Sequence, residues 1–289
     1  MKELIKNHLP HLQEIQIESN HSGWDHHIYI VNQRYVIRIP KTKQVLVKIK
    51  KEIKLLHQLS YLSSIIEIPN YLPFYNKDGQ MIGVFYHFIK GQALSHSLIT
   101  PPLYEAKRLG TFLTELHRLD IDEAKKCNIE ELHSENYWEQ LHQALIKKIF
   151  PFLKDAEKEE IDKMFLAVSK FKEAKVVIHG DLTSANILYH PSKKEISGII
   201  DFTDTQIGDP AFDFAGLYWD FGDQFTKEAL ASYQTKFNKD EMYRRVTSFY
   251  GLQPIFHEWL KNVNDQDEKA VRQSINIGMT KIQIMHRSV

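Results

Sequence analysis

The chain has a single cysteine, Cys127, in 289 residues, which leaves nothing for an intramolecular disulfide or a multi-cysteine zinc site. A reducing, cytoplasmic setting is the expectation. An excess of one charge is also missing. The 37 Lys and Arg residues match 37 Asp and Glu, so no global field draws the chain to nucleic acid or to an anionic membrane. No window approaches the roughly 18 apolar residues of a spanning helix. Lys2, Glu3, Lys6 and His8 interrupt the first ten residues, where a signal peptide would need an apolar run. The 12 glycines form neither Gly-x-Gly-x-x-Gly nor Gly-x-x-x-x-Gly-Lys-Ser/Thr, so neither a dinucleotide fingerprint nor a P-loop is supported. His-Glu-x-x-His and Gly-x-Ser-x-Gly are absent too, which argues against a zincin helix and a hydrolase elbow. No nucleic acid, membrane or protein partner is indicated.

What is present is an ordinary globular mixture, 43% apolar and 26% charged, in a chain longer than one core usually holds. Two lobes are expected, residues 1–90 and 91–289. Ile28 to Ile39 reads as two strands around a turn at Asn32-Gln33. After Pro40, Ile49, Ile53, Leu56 and Leu59 recur at helical spacing. A second strand pair, 70–75 and 80–89, flanks Asp78-Gly79, and Pro73 confines the first of these to a sheet edge. From Gly91 the period changes. Helices are predicted over 101–119, 135–150 and 155–172, then a short apolar run at 176–178, a hairpin of 187–189 with 196–200, and a mainly helical remainder from Pro210. The fold class is thus α+β, with a small β-rich N-terminal lobe and a larger, mainly helical C-terminal lobe.

The densest chemistry is His179-Gly180-Asp181-Leu182-Thr183-Ser184-Ala185-Asn186, with Asp201-Phe202 fifteen residues beyond Asn186. Phosphoryl transfer needs a carboxylate to take the proton of an attacking hydroxyl and hard oxygen ligands to hold magnesium on the nucleotide phosphates. Asp181 suits the first task. Asn186 and Asp201 suit the second. Order and offsets match the kinase catalytic loop, H-x-D-x-x-x-x-N followed by D-F. Either residue alone would be better read as a helix cap or a turn residue.

Val177 to Leu182, Asn186 to Leu188, Gly198 to Phe202 and Gly208-Asp209-Pro210 to Asp213 together resemble the aminoglycoside phosphotransferase family, its 2''-phosphotransferases in particular. The resemblance extends over nearly the whole chain. It implies a bilobal protein-kinase-like fold, ATP or GTP as phosphate donor, Mg2+, and a hydroxyl acceptor of antibiotic type. In it Asp181 would be the catalytic base, Asn186 and Asp201 the magnesium ligands, and His179 and Asp213 braces of the catalytic loop. An aminoglycoside is the expected acceptor, with a macrolide or a small metabolite as alternatives.

Other residues fall in kinase order. Arg38 on a strand and Glu52 on the next helix occupy the places of the paired strand cation and helix carboxylate, although kinases normally carry Lys at the first. Without the downstream motif, an ordinary strand-to-helix salt bridge would be the alternative account of the pair. Ser22 and Gly23 lie where a loop would cover the phosphates. Tyr86 to Gly91 would be the hinge, whose backbone groups, His87 and Ile89 among them, bond a purine while Phe88 or Ile89 packs near the ring. Between Lys194 and Lys227 there is no Lys or Arg, and Asp204, Asp220 and Asp223 remain as carboxylates able to attract a cationic substrate.

Overall fold

The computed structural model describes residues 1–20, 25–60, 66–99, 103–168, 171, 175–264 and 268–286. Ser22, Gly23 and the start of the helix expected from residue 101 lie outside these. The fold is the α+β arrangement expected, and the chain separates into two compact units. One comprises residues 1–94, 122–129 and 185–205; the other holds 95–121, 130–184 and 206–289.

The first unit is built on five antiparallel strands: β1 (Ile17–Asn20), β2 (His26–Val31), β3 (Tyr35–Pro40), β4 (Leu72–Tyr75) and β5 (Met81–His87), in the order β1-β2-β3-β5-β4. Asn32 and Gln33 both take φ of 52°, the left-handed pair of a tight two-residue hairpin turn, which sets Ile28 opposite Arg38. Pro73 sits on the edge strand, where its missing N–H costs no ladder bond. At the next turn Asn76 Oδ1 accepts from the N–H groups of Asp78 and Gln80 at 3.0 and 2.9 Å, and Gly79 supplies φ of 74°. Helix α1 (Lys2–His8), with no counterpart among the predicted elements, packs Ile5 against Val31, Ile37, Phe74 and Phe85.

Helix α2 (Lys43–Leu59) starts where Thr42 Oγ1 accepts from Val45 N–H. Its buried face differs from the expected stripe: Ile53 is only half-buried, and Glu52 is 1% exposed. A smaller sheet orders β6 (Gln92–Ala93), β8 (Ile187–His190) and β9 (Glu195–Ile199) as β6-β8-β9. Ile187 pairs with Ile199, and Ile200 N–H donates to the Asn186 carbonyl at 2.9 Å. The hairpin therefore sets the residue preceding Asp201 against Asn186.

The second unit is mainly helical: α3 (Tyr104–Leu116), α5 (Glu135–Lys148), α6 (Asp155–Val168), α7 (Ala215–Ser232), α8 (Lys239–Arg245), α9 (Gln253–Asn264) and α10 (Glu268–His286). The short α4 (Ile121–Lys126) falls mostly in the first unit. Strands β7 (Val176–Ile178) and β10 (Gln206–Gly208) pair antiparallel and lead to and from the polar segments. An aromatic core joins the helices, with Phe249 edge-on to both Trp138 and Phe165 at 5.1 Å. Among the described residues no helix is long and apolar enough to cross a membrane.

Candidate active site

In the first unit the polar core converges on Arg38, 4% exposed on β3. A guanidinium has five donors on a planar fork, and each of its terminal nitrogens here faces its own acceptors. Nη1 reaches Glu52 Oε1 at 3.3 Å and the Tyr71 hydroxyl. Nη2 reaches Asp201 Oδ1 at 3.0 Å, Nδ1 of His26 at 3.2 Å and Thr203 Oγ1 at 3.3 Å. Tyr71 in turn donates to Glu52 Oε1 at 3.0 Å, and Phe202 N–H donates to the same oxygen at 3.0 Å. Arg38 and Glu52 thus form the strand-to-helix ion pair predicted, and the pair extends to Asp201.

Asp201 leaves β9 in the left-handed region, φ 64° and ψ 69°. For a residue with a Cβ this costs on the order of 1–3 kcal/mol, and such conformations concentrate at functional positions. Thr203 donates to Asp201 Oδ1 at 2.7 Å, so the turn is closed by its own side chain. The Asp201 side chain stays 43% exposed, whereas Arg38 and Glu52 are buried. Partial burial pushes its carboxyl up, but the Arg38 charge and the Thr203 hydrogen bond outweigh this and bring it down to about 2. Burial raises Glu52, opposed by Arg38. His26 is pushed down to about 4, first by burial and then by the Arg38 charge, so its ring is neutral at pH 7.

Asn186 is also buried here, tied by its carbonyl to Ile200. An amide oxygen and a half-exposed carboxylate that is ionised are donors suited to magnesium, which takes few protein ligands and completes its shell with phosphate and water. Among the described residues no group of three or more His, Cys, Asp or Glu forms a metal cluster. The donor set fits a cation held jointly with a nucleotide. His87 ends β5, exposed and paired with Tyr35. Ile89 is buried, and a Cβ at Gly198 would lie 2.6 Å from its Cγ2, so the two pack closely. Phe88 N–H is already spent on the Arg34 carbonyl at 2.8 Å.

In the second unit Asp181 is exposed, and its own N–H donates to His179 Nδ1 at 3.2 Å. Gly180 turns the chain with φ of 83°, a conformation glycine adopts without a Cβ clash. Asp213, 1% exposed, accepts from His179 N–H at 2.8 Å and Gly180 N–H at 2.9 Å, and pairs with His117 Nε2 at 3.0 Å. Burial raises Asp213, but His117 and the backbone donors leave it lowered. A Cβ at Gly216 would lie 2.2 Å from the Leu182 carbonyl oxygen, so the start of α7 presses directly on the loop after Asp181. Asp209 holds the next turn through Ala211 N–H at 2.9 Å and pairs with Arg245 at 2.7 Å.

The three carboxylates expected to face a substrate already have neighbours. Asp220 accepts from Ser184 N–H at 2.6 Å. Asp223 pairs with Lys227 at 3.0 Å and with the Tyr243 hydroxyl, and in the first unit Asp204 pairs with Lys48 at 3.2 Å. Two of the three thus meet lysines, Lys227 at the end of the charge gap and Lys48 from outside it. The sequence reading missed His26, Tyr71 and Thr203 around Arg38, and His117 beside Asp213. Only Thr203, two residues after Asp201, carried a local signal.

A model of the phosphotransferase enzyme family matches residues 16–249. Viomycin phosphotransferase of Streptomyces vinaceus is 26% identical over 149 residues, 50% of this chain. The match spans about half of that relative's own length, 52%. Among solved structures, the GDP complex of wild-type aminoglycoside 2'-phosphotransferase-IIIa superposes with a TM-score of 0.83 at 24% identity, covering 98% of this chain and 97% of that one. A macrolide 2'-phosphotransferase from Brachybacterium faecium gives 0.71 at 18% identity, covering 95% and 97%. These structural likenesses share the bilobal kinase-like fold.

Proposed function

The chain belongs to the phosphotransferase enzyme family, and from that premise we propose that it moves the γ-phosphoryl group of ATP or GTP to a hydroxyl of an aminoglycoside antibiotic. The observation that carries the reading is Asp201, ionised and half-exposed on a left-handed turn, clamped by the Arg38–Glu52 pair and following Ile200, which the hairpin ties to the Asn186 carbonyl. Asp181 accepts the proton of the attacking hydroxyl and orients its oxygen. Asn186 and Asp201 are the oxygen donors that would hold magnesium on the nucleotide. Magnesium, when bound, neutralises charge on the transferring phosphoryl group. Arg38 keeps the Asp201 carboxylate charged and directed. Asp213 holds the backbone before Asp181, so the base stays in one place.

Relatives that act on viomycin, aminoglycosides and macrolides support an antibiotic acceptor. Purified protein is assayed for nucleotide consumption with ATP and with GTP against aminoglycosides, viomycin, macrolides and hydroxylated metabolites. Turnover on aminoglycosides is expected, and a metabolite preferred over every antibiotic would sink the acceptor assignment. Asp181→Asn is expected to lower kcat about 10²-fold or more with the fold intact.

A further inference from the structure

His26 is a buried histidine on β2, 6% exposed, and its two ring nitrogens differ sharply in what they meet. Nδ1 lies 3.2 Å from Arg38 Nη2. A guanidinium only donates, so Nδ1 accepts, and the neutral ring carries its proton on Nε2. Among the described residues that buried Nε2 has no hydrogen-bond partner. Leaving a buried donor unmade is unfavourable, so the ring is kept at that position by what Nδ1 does.

What Nδ1 does follows from the shape of the cluster. Acceptors for Arg38 stand on two sides: Glu52 and Tyr71 at Nη1, and His26, Asp201 and Thr203 at Nη2. An ammonium presents three donors from one point, on a shorter stem, and cannot serve both sides. A guanidinium can, but only when the roll of its plane is fixed. Glu52 and Asp201 alone define two contacts, on different nitrogens; His26 adds a further acceptor at Nη2 and Tyr71 one at Nη1.

We propose that His26, in its Nε2–H form, is a positioning residue that fixes the Arg38 fork so that one nitrogen meets Glu52 and the other Asp201. With Tyr71 it makes position 38 specific for arginine, where kinases normally carry lysine. The inference rests on the phosphotransfer reading, in which Asp201 is a magnesium ligand.

Side-chain geometry supplies the test. The amide oxygen of asparagine can stand in for Nδ1 of histidine, while leucine offers no acceptor at all. His26→Leu and Arg38→Lys are each expected to lower kcat by about 10- to 100-fold, the range for residues that orient a ligand's partner, with acceptor KM little changed. His26→Asn should recover most of what His26→Leu loses. The double variant His26→Leu with Arg38→Lys should be no worse than Arg38→Lys alone, because both remove one interaction. Nitrogen-15 NMR of the histidine-labelled wild type at pH 7 should show His26 as the Nε2–H tautomer, and Arg38→Lys should abolish that signature. An Nδ1–H tautomer in the wild type, full activity of Arg38→Lys, or no recovery in His26→Asn would overturn the proposal. Calorimetry with magnesium and ADP on the wild type separates the two levels. No nucleotide uptake there refutes the phosphotransfer reading, whereas uptake with an Nδ1–H His26 refutes only the positioning role.

Discussion

Asp201 and Asp213 are both aspartates gripped by several donors, one in each unit, and they are gripped for opposite ends. Asp213 is sealed: its side chain is 0% exposed, and its partners are two backbone N–H groups and His117, which leaves no room for anything else. Asp201 is held through Oδ1 by Arg38 and Thr203 while 43% of its side chain faces outward. A carboxylate whose donors are main-chain groups shapes the chain. One restrained at a single oxygen, and otherwise open, is the kind the proposed magnesium site requires.

The contrast is broken most severely at the open carboxylate. Asp201→Asn should cut turnover by about 10³-fold, because an amide supplies no charge to a cation on the phosphates, with a smaller loss of thermal stability than at the sealed carboxylate. A variant that stays active would make Asp201 merely another structural aspartate. Asp213→Asn should do the reverse and destabilise by about 3–5 kcal/mol, since it removes one member of a buried pair and turns amide hydrogens toward backbone donors. Denaturant titration measures this. The same contrast has a pH signature. Both carboxyls are lowered in the folded protein, so each stabilises it fully above the unfolded value near 3.8. As pH falls below that, the unfolded chain takes up protons first and stability is lost, for Asp201 over the window from about 4 to about 2. Arg38→Met should flatten the loss over that window without touching the Asp213 share.

Gly216→Ala probes the brace from its other side. The new methyl would meet the Leu182 carbonyl, and the required shift should cost about 1–3 kcal/mol and lower kcat more than nucleotide affinity. Separate measurement of kcat and of ADP binding decides this, and an equal loss in both would show that α7 does not set the catalytic loop. Smallest is Lys48→Ala. The exposed Lys48–Asp204 pair is worth less than about 1 kcal/mol, so stability should hardly move. If Asp204 receives a cationic acceptor, releasing it should lower acceptor KM; an unchanged KM removes Asp204 from the substrate surface.

Much of this was legible in the residues alone, and the reasons are local. The hairpin at Asn32-Gln33, the edge strand marked by Pro73 and β7 follow from side-chain shape and period, and so does the catalytic segment from its spacing. The buried face of α2 was misread at Ile53, which is only half-buried, because the helix turns Glu52 inward to meet Arg38. Helix α1, strands β1, β6 and β10, and α4 were too short to show a period. Of the three carboxylates expected to face a substrate, Asp204 looked unopposed because Lys48 lies 156 positions away.

By itself the sequence determined the α+β class and singled out Asp181, Asn186 and Asp201 as the candidates for the proposed phosphotransfer, since these readings depend on neighbours a few residues apart. Only the tertiary structure decided that Arg38 is roofed by His26 and Tyr71, that Asp201 turns left-handed onto its fork, and that Asp213 is closed off. Those contacts join residues 12 to 163 positions apart. No pattern along the chain encodes them, because they come into being only when burial forces each polar group to find its partner.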